Sequence, residues 1–135
     1  MSGRTAIRRA AVPLADHSRE SRQPSFADTA EFYRVDAALK LDPSRRSDLG
    51  QYMTPAPIAR FMASLFADVS GELRLLDPGA GVGSLTAAFV ERICAVATKP
   101  RSTSLVAYEI EPVLSAYLRN TLDEAIDQCR RAQIK

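Results

Sequence analysis

One run of eleven residues constrains this chain more than any other: Leu75-Leu76-Asp77-Pro78-Gly79-Ala80-Gly81-Val82-Gly83-Ser84-Leu85. A short apolar stretch stops at an acid, and three glycines at spacing two lead toward a helix. Glycine lacks a Cβ, so it takes positive φ and tolerates close approach at low steric cost. A loop built this way offers bare backbone to whatever lies against it.

The flanking sequence supplies the scaffold for such a loop. Leu73–Leu76 reads as a first strand and Leu105-Val106-Ala107-Tyr108-Glu109 as a second. Between them a helix is expected from about Ser84 to Ala97, with Leu85, Phe89, Ile93 and Val96 inward. Pro112 starts a last helix, with Leu114, Leu118, Leu122 and Ile126 spaced for burial. Upstream, Ser25-Phe26-Ala27-Asp28 fits a capping box opening a helix to about Leu39, with Phe26, Ala30, Tyr33 and Ala37 on one stripe. Leu41-Asp42-Pro43-Ser44 breaks that helix, and Arg45, Arg46 and Asp48 form a charged connector. Thr54 reads as the N-cap of a further helix, with Pro55 at its first position and Ile58, Met62, Leu65 and Phe66 along it. Strand–helix–strand–helix order with short loops implies parallel pairing with a right-handed crossover. Ligands of such sheets bind at the carboxyl ends of the strands, where Asp77 and Glu109 both fall.

Several function classes drop out. No apolar stretch is long enough for a membrane span. Cys94 and Cys129 show no metal-ligand spacing and read as buried free thiols in a reducing cytoplasm. The single histidine, His17, is poor material for a metal site or a base. Arg4, Arg8, Arg9, Arg19 and Arg22 stand against only Asp16 and Glu20, so the net charge of +2 belongs to the first 25 residues. That stretch could touch phosphates non-specifically. A solvated, disordered end is the favoured reading, and the two acids argue against a transit peptide.

The loop itself selects among ligands. Ser84 stands where a dinucleotide fingerprint needs its third glycine, and no Lys-Ser or Lys-Thr follows for a P-loop. A carboxylate at Asp77 would repel a pyrophosphate and suits a cationic amino-acid group instead, directly or through water. S-adenosyl-L-methionine carries an ammonium and a sulfonium and no phosphate. Glu109 can accept hydrogen bonds from both hydroxyls of a ribose, and Ile110 then lies against the adenine face. Either acid alone would serve equally well as a helix cap; the two together, at successive strand ends, favour a site.

The run Leu76–Leu85 resembles the cofactor motif of amino-methylating DNA methyltransferases. Gln51-Tyr52-Met53-Thr54-Pro55 resembles the Gln-Tyr-Phe/Met-Thr-Pro motif of the adenine-N6 enzymes of restriction–modification systems. Val106-Ala107-Tyr108-Glu109-Ile110-Glu111-Pro112 resembles their ribose-binding motif. The resemblance covers roughly residues 40–120 and implies a partial S-adenosylmethionine-dependent methyltransferase fold. That fold is α/β and Rossmann-like, with parallel strands and flanking helices behind an N-terminal helical region. It implies cofactor contacts from Tyr52, Thr54 and Pro55 near the methionine end, from the loop residues Asp77, Pro78, Gly79, Ala80, Gly81 and Gly83, and from Glu109 and Ile110. Glu111 is expected at a helix N-terminus, where a carboxylate is favourable.

The family's catalytic Asn/Asp-Pro-Pro-Tyr/Phe loop has no counterpart. Asn120 precedes Thr121 and Leu122, and neither Asp42-Pro43 nor Asp77-Pro78 continues into a second proline. No catalytic residue is therefore assigned, and the chain alone is expected to be inactive. It divides into a basic tail (1–24), a helical segment (25–70) and a partial cofactor-binding α/β domain (71–135). The favoured reading is the amino-terminal piece of a cytoplasmic enzyme that meets DNA through the complete protein. A separately encoded carboxyl-terminal half is the candidate partner of a non-catalytic subunit or interfering fragment, and neither metal nor membrane is implied.

Overall fold

Two parallel strands, β1 (Glu72–Asp77) and β2 (Ser102–Ala107), carry the architecture, running in register from the Glu72–Ser102 pair to the Asp77–Ala107 pair. The structure, a computed structural model, describes residues 23–44 and 52–135. Residues 1–22 of the basic tail and residues 45–51, including the charged connector and the first residue of the Gln-Tyr-Met-Thr-Pro run, lie outside the described residues. In chain order the helices are α1 (Phe26–Lys40), α2 (Ala56–Ser64), α3 (Ser84–Ala95) and α4 (Pro112–Arg131). Among the described residues no helix is long and apolar enough to cross a membrane.

The strands are placed differently from the apolar-run reading. β2 starts at Ser102 and stops at Ala107, so Tyr108 and Glu109 lie beyond it. Its polar first half pairs with Glu72, Leu73 and Arg74, and backbone pairing rather than apolarity decides the extent of an edge strand. Leu73 and Leu75 pack on Phe89 and Ile93 of α3. Leu76 and Val106, paired in register, stand exposed on the other face of the sheet. A parallel sheet normally has both faces covered; among the described residues helices cover one.

α3 is the hub. It buries Thr86, Ala87, Ala88, Phe89, Val90 and Ile93, far more than the single stripe expected, because α1, α2, α4 and the sheet all pack around it. It also stops at Ala95, where Val96 turns extended as its C-cap. α4 buries Leu114, Leu118, Thr121 and Ala125. Leu122 is only half-buried and Ile126 is exposed, so the buried stripe is rotated from the all-leucine one read in the sequence.

The capping box at Ser25 forms as expected, with Asp28 and Ser25 exchanging side-chain-to-backbone bonds. Carboxylates from other helices add to the caps of α1 and α2. Glu91 of α3 accepts from Ala27 N–H at 2.9 Å, and Glu31 of α1 accepts from Ala56 N–H at 2.9 Å. Arg60 ties this corner together by donating to Asp28 and Ser25 at 2.6 Å and to Glu91 at 3.1 Å. Thr54 is thus not the N-cap of α2. Pro55 is, with extended ψ of 149° and its carbonyl accepting from Ile58 and Ala59, and the cap carboxylate comes from Glu31. α2 buries Ala56, Ala59 and Ala63 and ends at Ser64, leaving Ile58, Phe61, Met62 and Leu65 exposed.

The glycine run meets α4 at one point. Gly83, φ 89°, is the N-cap of α3, and a Cβ built there would lie 2.7 Å from Thr121 Cγ2 and 3.1 Å from Leu118 Cδ1. Thr121 Oγ1 also donates to the Val82 carbonyl at 2.7 Å. Replacing Gly83 by alanine adds left-handed strain to a steric conflict. Gly83→Ala is expected to cost about 3 kcal/mol, read as a lowered urea midpoint at unchanged slope.

Candidate functional site

The loop after β1 and the residues after β2 close on each other. Tyr108 N–H donates to the Asp77 carbonyl at 3.0 Å, and Ala80 N–H donates to the Tyr108 carbonyl at 3.0 Å. Gly83 N–H donates to the Ala80 carbonyl at 2.7 Å, which curls the loop into the start of α3. Gly81 takes φ 57° on the way. Between these segments lies a crevice of about 300 Å3, at the small end of ligand pockets.

Of the residues expected at a site, Tyr52, Thr54, Pro78, Gly79, Ala80, Gly81, Glu109 and Ile110 line this crevice. Pro55, Asp77 and Gly83 do not. Pro55 is occupied as the cap of α2, and Gly83 is pressed against Thr121. Met53, Val82, Ser84, Leu85, Tyr108 and Leu114 line it as well, unassigned by sequence reasoning. Tyr52, Tyr108 and Ile110 stand exposed and give it an apolar rim suited to a flat ring.

The two acids part company here. Glu109 faces the crevice with its carboxylate engaged by backbone: Oε2 accepts from Gly81 N–H, and Oε1 from Ile110 and Glu111 N–H, each at 2.8 Å. A carboxylate has about four acceptor sites, so one remains. Accepting from both hydroxyls of a diol requires one amide to let go. The Gly81 bond is the one that links two segments, and its release would open the crevice. Glu111 is the N-cap of α4 and is buried, as expected.

Asp77 is 7% exposed and lies under the loop, its Oδ2 accepting from Thr86 Oγ1 at 3.0 Å. It therefore does not reach a ligand in the crevice directly. Burial pushes its pKa above the ordinary 3.8, the Thr86 hydroxyl opposes that, and the nearby Glu109 charge adds to it. Ser84 is the reverse case. Its hydroxyl is buried without a hydrogen-bond partner at the first turn of α3, among the residues lining the crevice. A buried hydroxyl left unpaired is costly, so a polar ligand group beside it would be favoured. The N-terminal N–H groups of α3 add to this polarity. Among the described residues no cluster of His, Cys, Asp or Glu could hold a metal.

A glycine-rich turn leads here from a first parallel strand into its crossover helix, with an acid past the second strand, at the sheet end where open α/β sheets bind ligands. Comparison with known proteins narrows the class. The chain is 46% identical over 90 residues to the type II methyltransferase M.PstI of Providencia stuartii, a match covering 67% of this chain and 17% of that protein. It is 42% identical over 78 residues to M.BsuBI of Bacillus subtilis, covering 57% of this chain and 15% of the relative. Over the matched residues this chain is a homologue of the type II methyltransferases of restriction–modification systems. It spans less than a fifth of the length of these two relatives. No family model and no solved structure matches it.

Asp77 gives a pH signature. Its folded pKa is raised, so its contribution to stability is fully present below the unfolded value of 3.8 and is lost as pH rises through the folded value. Asp77→Asn is expected to melt higher than the parent at neutral pH, with the difference shrinking as pH falls through the raised folded pKa and gone below the unfolded value of 3.8. Melting temperature measured against pH for both proteins checks the sign.

Proposed function

We propose that this chain is the S-adenosyl-L-methionine-binding portion of a site-specific DNA adenine-N6 methyltransferase. In the complete, cytoplasmic protein the 71–135 span contributes part of a Rossmann-like cofactor domain, and DNA is met through the rest. One observation carries the reading. A carboxylate, Glu109, lines a crevice walled by glycine backbone, and Ser84, whose buried hydroxyl has no hydrogen-bond partner, lines it as well. A nucleoside bearing a diol and an amino-acid tail offers partners for both.

When bound, the cofactor would supply an electrophilic methyl group. The residues of this chain bind and orient it. Glu109 takes the ribose, Ile110 and Tyr108 flank the base, and the backbone from Pro78 to Gly81 packs against the nucleoside. Tyr52 and Thr54 close the methionine end. Asp77 acts from below, setting the loop rather than touching the ammonium. Methyl transfer to an amine needs placement in line with the sulfonium and no protein nucleophile. The residues that would hold the target amine are absent from this sequence.

Gly79 separates ligand effects from folding effects. It has negative φ and nothing within 4 Å of a built Cβ, so alanine fits the fold and intrudes on the crevice. Calorimetric titration with S-adenosylhomocysteine is expected to show at least about tenfold weaker binding for Gly79→Ala and for Glu109→Ala, with the melting temperature of Gly79→Ala unchanged. Equal heats in all three proteins would sink the site. With labelled methyl donor and DNA, this chain alone is expected to transfer nothing.

A further inference from the structure

Helices α3 and α4 run side by side in the same direction, in contact from one end to the other. At the crevice end Gly83 meets Leu118 and Thr121. Midway, Ala87 and Val90 share a buried cluster with Ala125. At the far end stand Cys94 and Cys129, both packed against that cluster and against the cluster of Phe89 and Ile93. Positions 87, 90 and 94 fall on one face of α3, and positions 121, 125 and 129 on one face of α4. Gly83, Ala87 and Ala125 are small, and small side chains at a helix contact let the axes approach closely.

Both cysteines are free and half-buried. Their thiols meet across the interface. Burial pushes the Cys94 thiol up to about 11, and the Cys129 sulfur beside it adds to the shift. Burial raises Cys129 as well, and its hydrogen bond with Cys94 opposes that. The same hydrogen bond thus favours ionisation at Cys129 over Cys94. Cys129 also lines an open, mainly apolar groove of about 420 Å3 beside β2, which gives small solutes a path to it.

We propose that Cys94 and Cys129 form a reversible disulfide that staples α4 to α3 when a low-molecular-weight disulfide such as oxidised glutathione is in excess. The Cys129 thiolate attacks one sulfur of the oxidant. The S–S bond of the oxidant breaks, and one glutathione leaves and takes up the proton that Cys129 released. The Cys94 thiolate then attacks the Cys129 sulfur of the mixed disulfide and displaces the second glutathione, which takes up the Cys94 proton. Two protein thiols are oxidised, and one small disulfide is reduced to two thiols. Because protonated thiols do not attack, the exchange is slow at neutral pH and quickens as pH rises. The bridge closes a loop that contains β2 and Glu109, and it fixes the far end of the interface whose near end seats Gly83 on Thr121. Closing a loop restricts the unfolded chain and so favours the folded one. The inference stands on the packing of α3 against α4, independently of the methyl donor.

The test equilibrates the full chain with oxidised and reduced glutathione in mildly alkaline buffer, with and without concentrated urea. After acid quenching and alkylation, mass spectrometry counts the chains that have lost two hydrogens. The effective concentration of the two thiols is expected to be at least about tenfold higher in the native protein than in urea. By linkage the bridged chain then melts higher than the reduced one. Cys94→Ala and Cys129→Ala should yield only mixed disulfides with glutathione, with no rise in melting temperature on oxidation. Equal effective concentrations in native protein and urea, a bridge between two chains in place of one within a chain, or a bridged chain that melts lower would overturn the proposal. Cofactor titration plays no part in these readouts, so failure of the cofactor reading leaves the test intact.

Discussion

The seating of α4 on the glycine loop holds the site together. Thr121 donates to the Val82 carbonyl, and its methyl group fills the space that a side chain at Gly83 would need. This contact fixes where α3 begins, and the start of α3 fixes the curl from Ala80 to Gly83. The curl in turn brings Gly81 N–H to Glu109. A crevice walled by backbone is only as well defined as the packing behind it. Here that packing is one threonine and one leucine against a residue with no Cβ.

Charge is used economically around this frame. Glu91 and Glu31 each satisfy the first-turn amides of a helix other than their own, and Arg60 neutralises the corner where α1, α2 and α3 meet. Arg60 holds Asp28 below the usual carboxylate range, and Arg34 does the same for Glu31. For Glu91 burial pushes upward, and the Ala27 amide, Ser25 and Arg60 outweigh it. Asp77, with only a hydroxyl for company, stays raised. Asp28, Glu31 and Glu91 each meet an arginine, and Asp77 under the glycine loop meets Thr86 instead.

Among the described residues, apolar surface stays uncovered. The Leu76–Val106 pair lies open on one face of the sheet, and α2 shows Ile58, Phe61, Met62 and Leu65 to solvent. A parallel sheet of two strands cannot bury both of its faces by itself. The relatives are several times longer than this chain.

The sequence by itself determined the order of strands and helices, the capping box at Ser25, the glycine loop after β1 and the position of the acid past the second strand. Each is a local matter of glycine, proline, capping residues and apolar spacing within a few positions. It also carried the motifs by which the family was read, and the relatives bear that reading out at the level of type II methyltransferases. Only the tertiary structure decided that Asp77 turns down to Thr86 while Glu109 turns up to Gly81. Only it decided that Gly83 serves helix packing, that Ser84 is left without a partner, and that Pro55 is capped from another helix. Such choices depend on which groups far apart in sequence compete for the same donor or the same space. A linear pattern records the competitors and not the outcome.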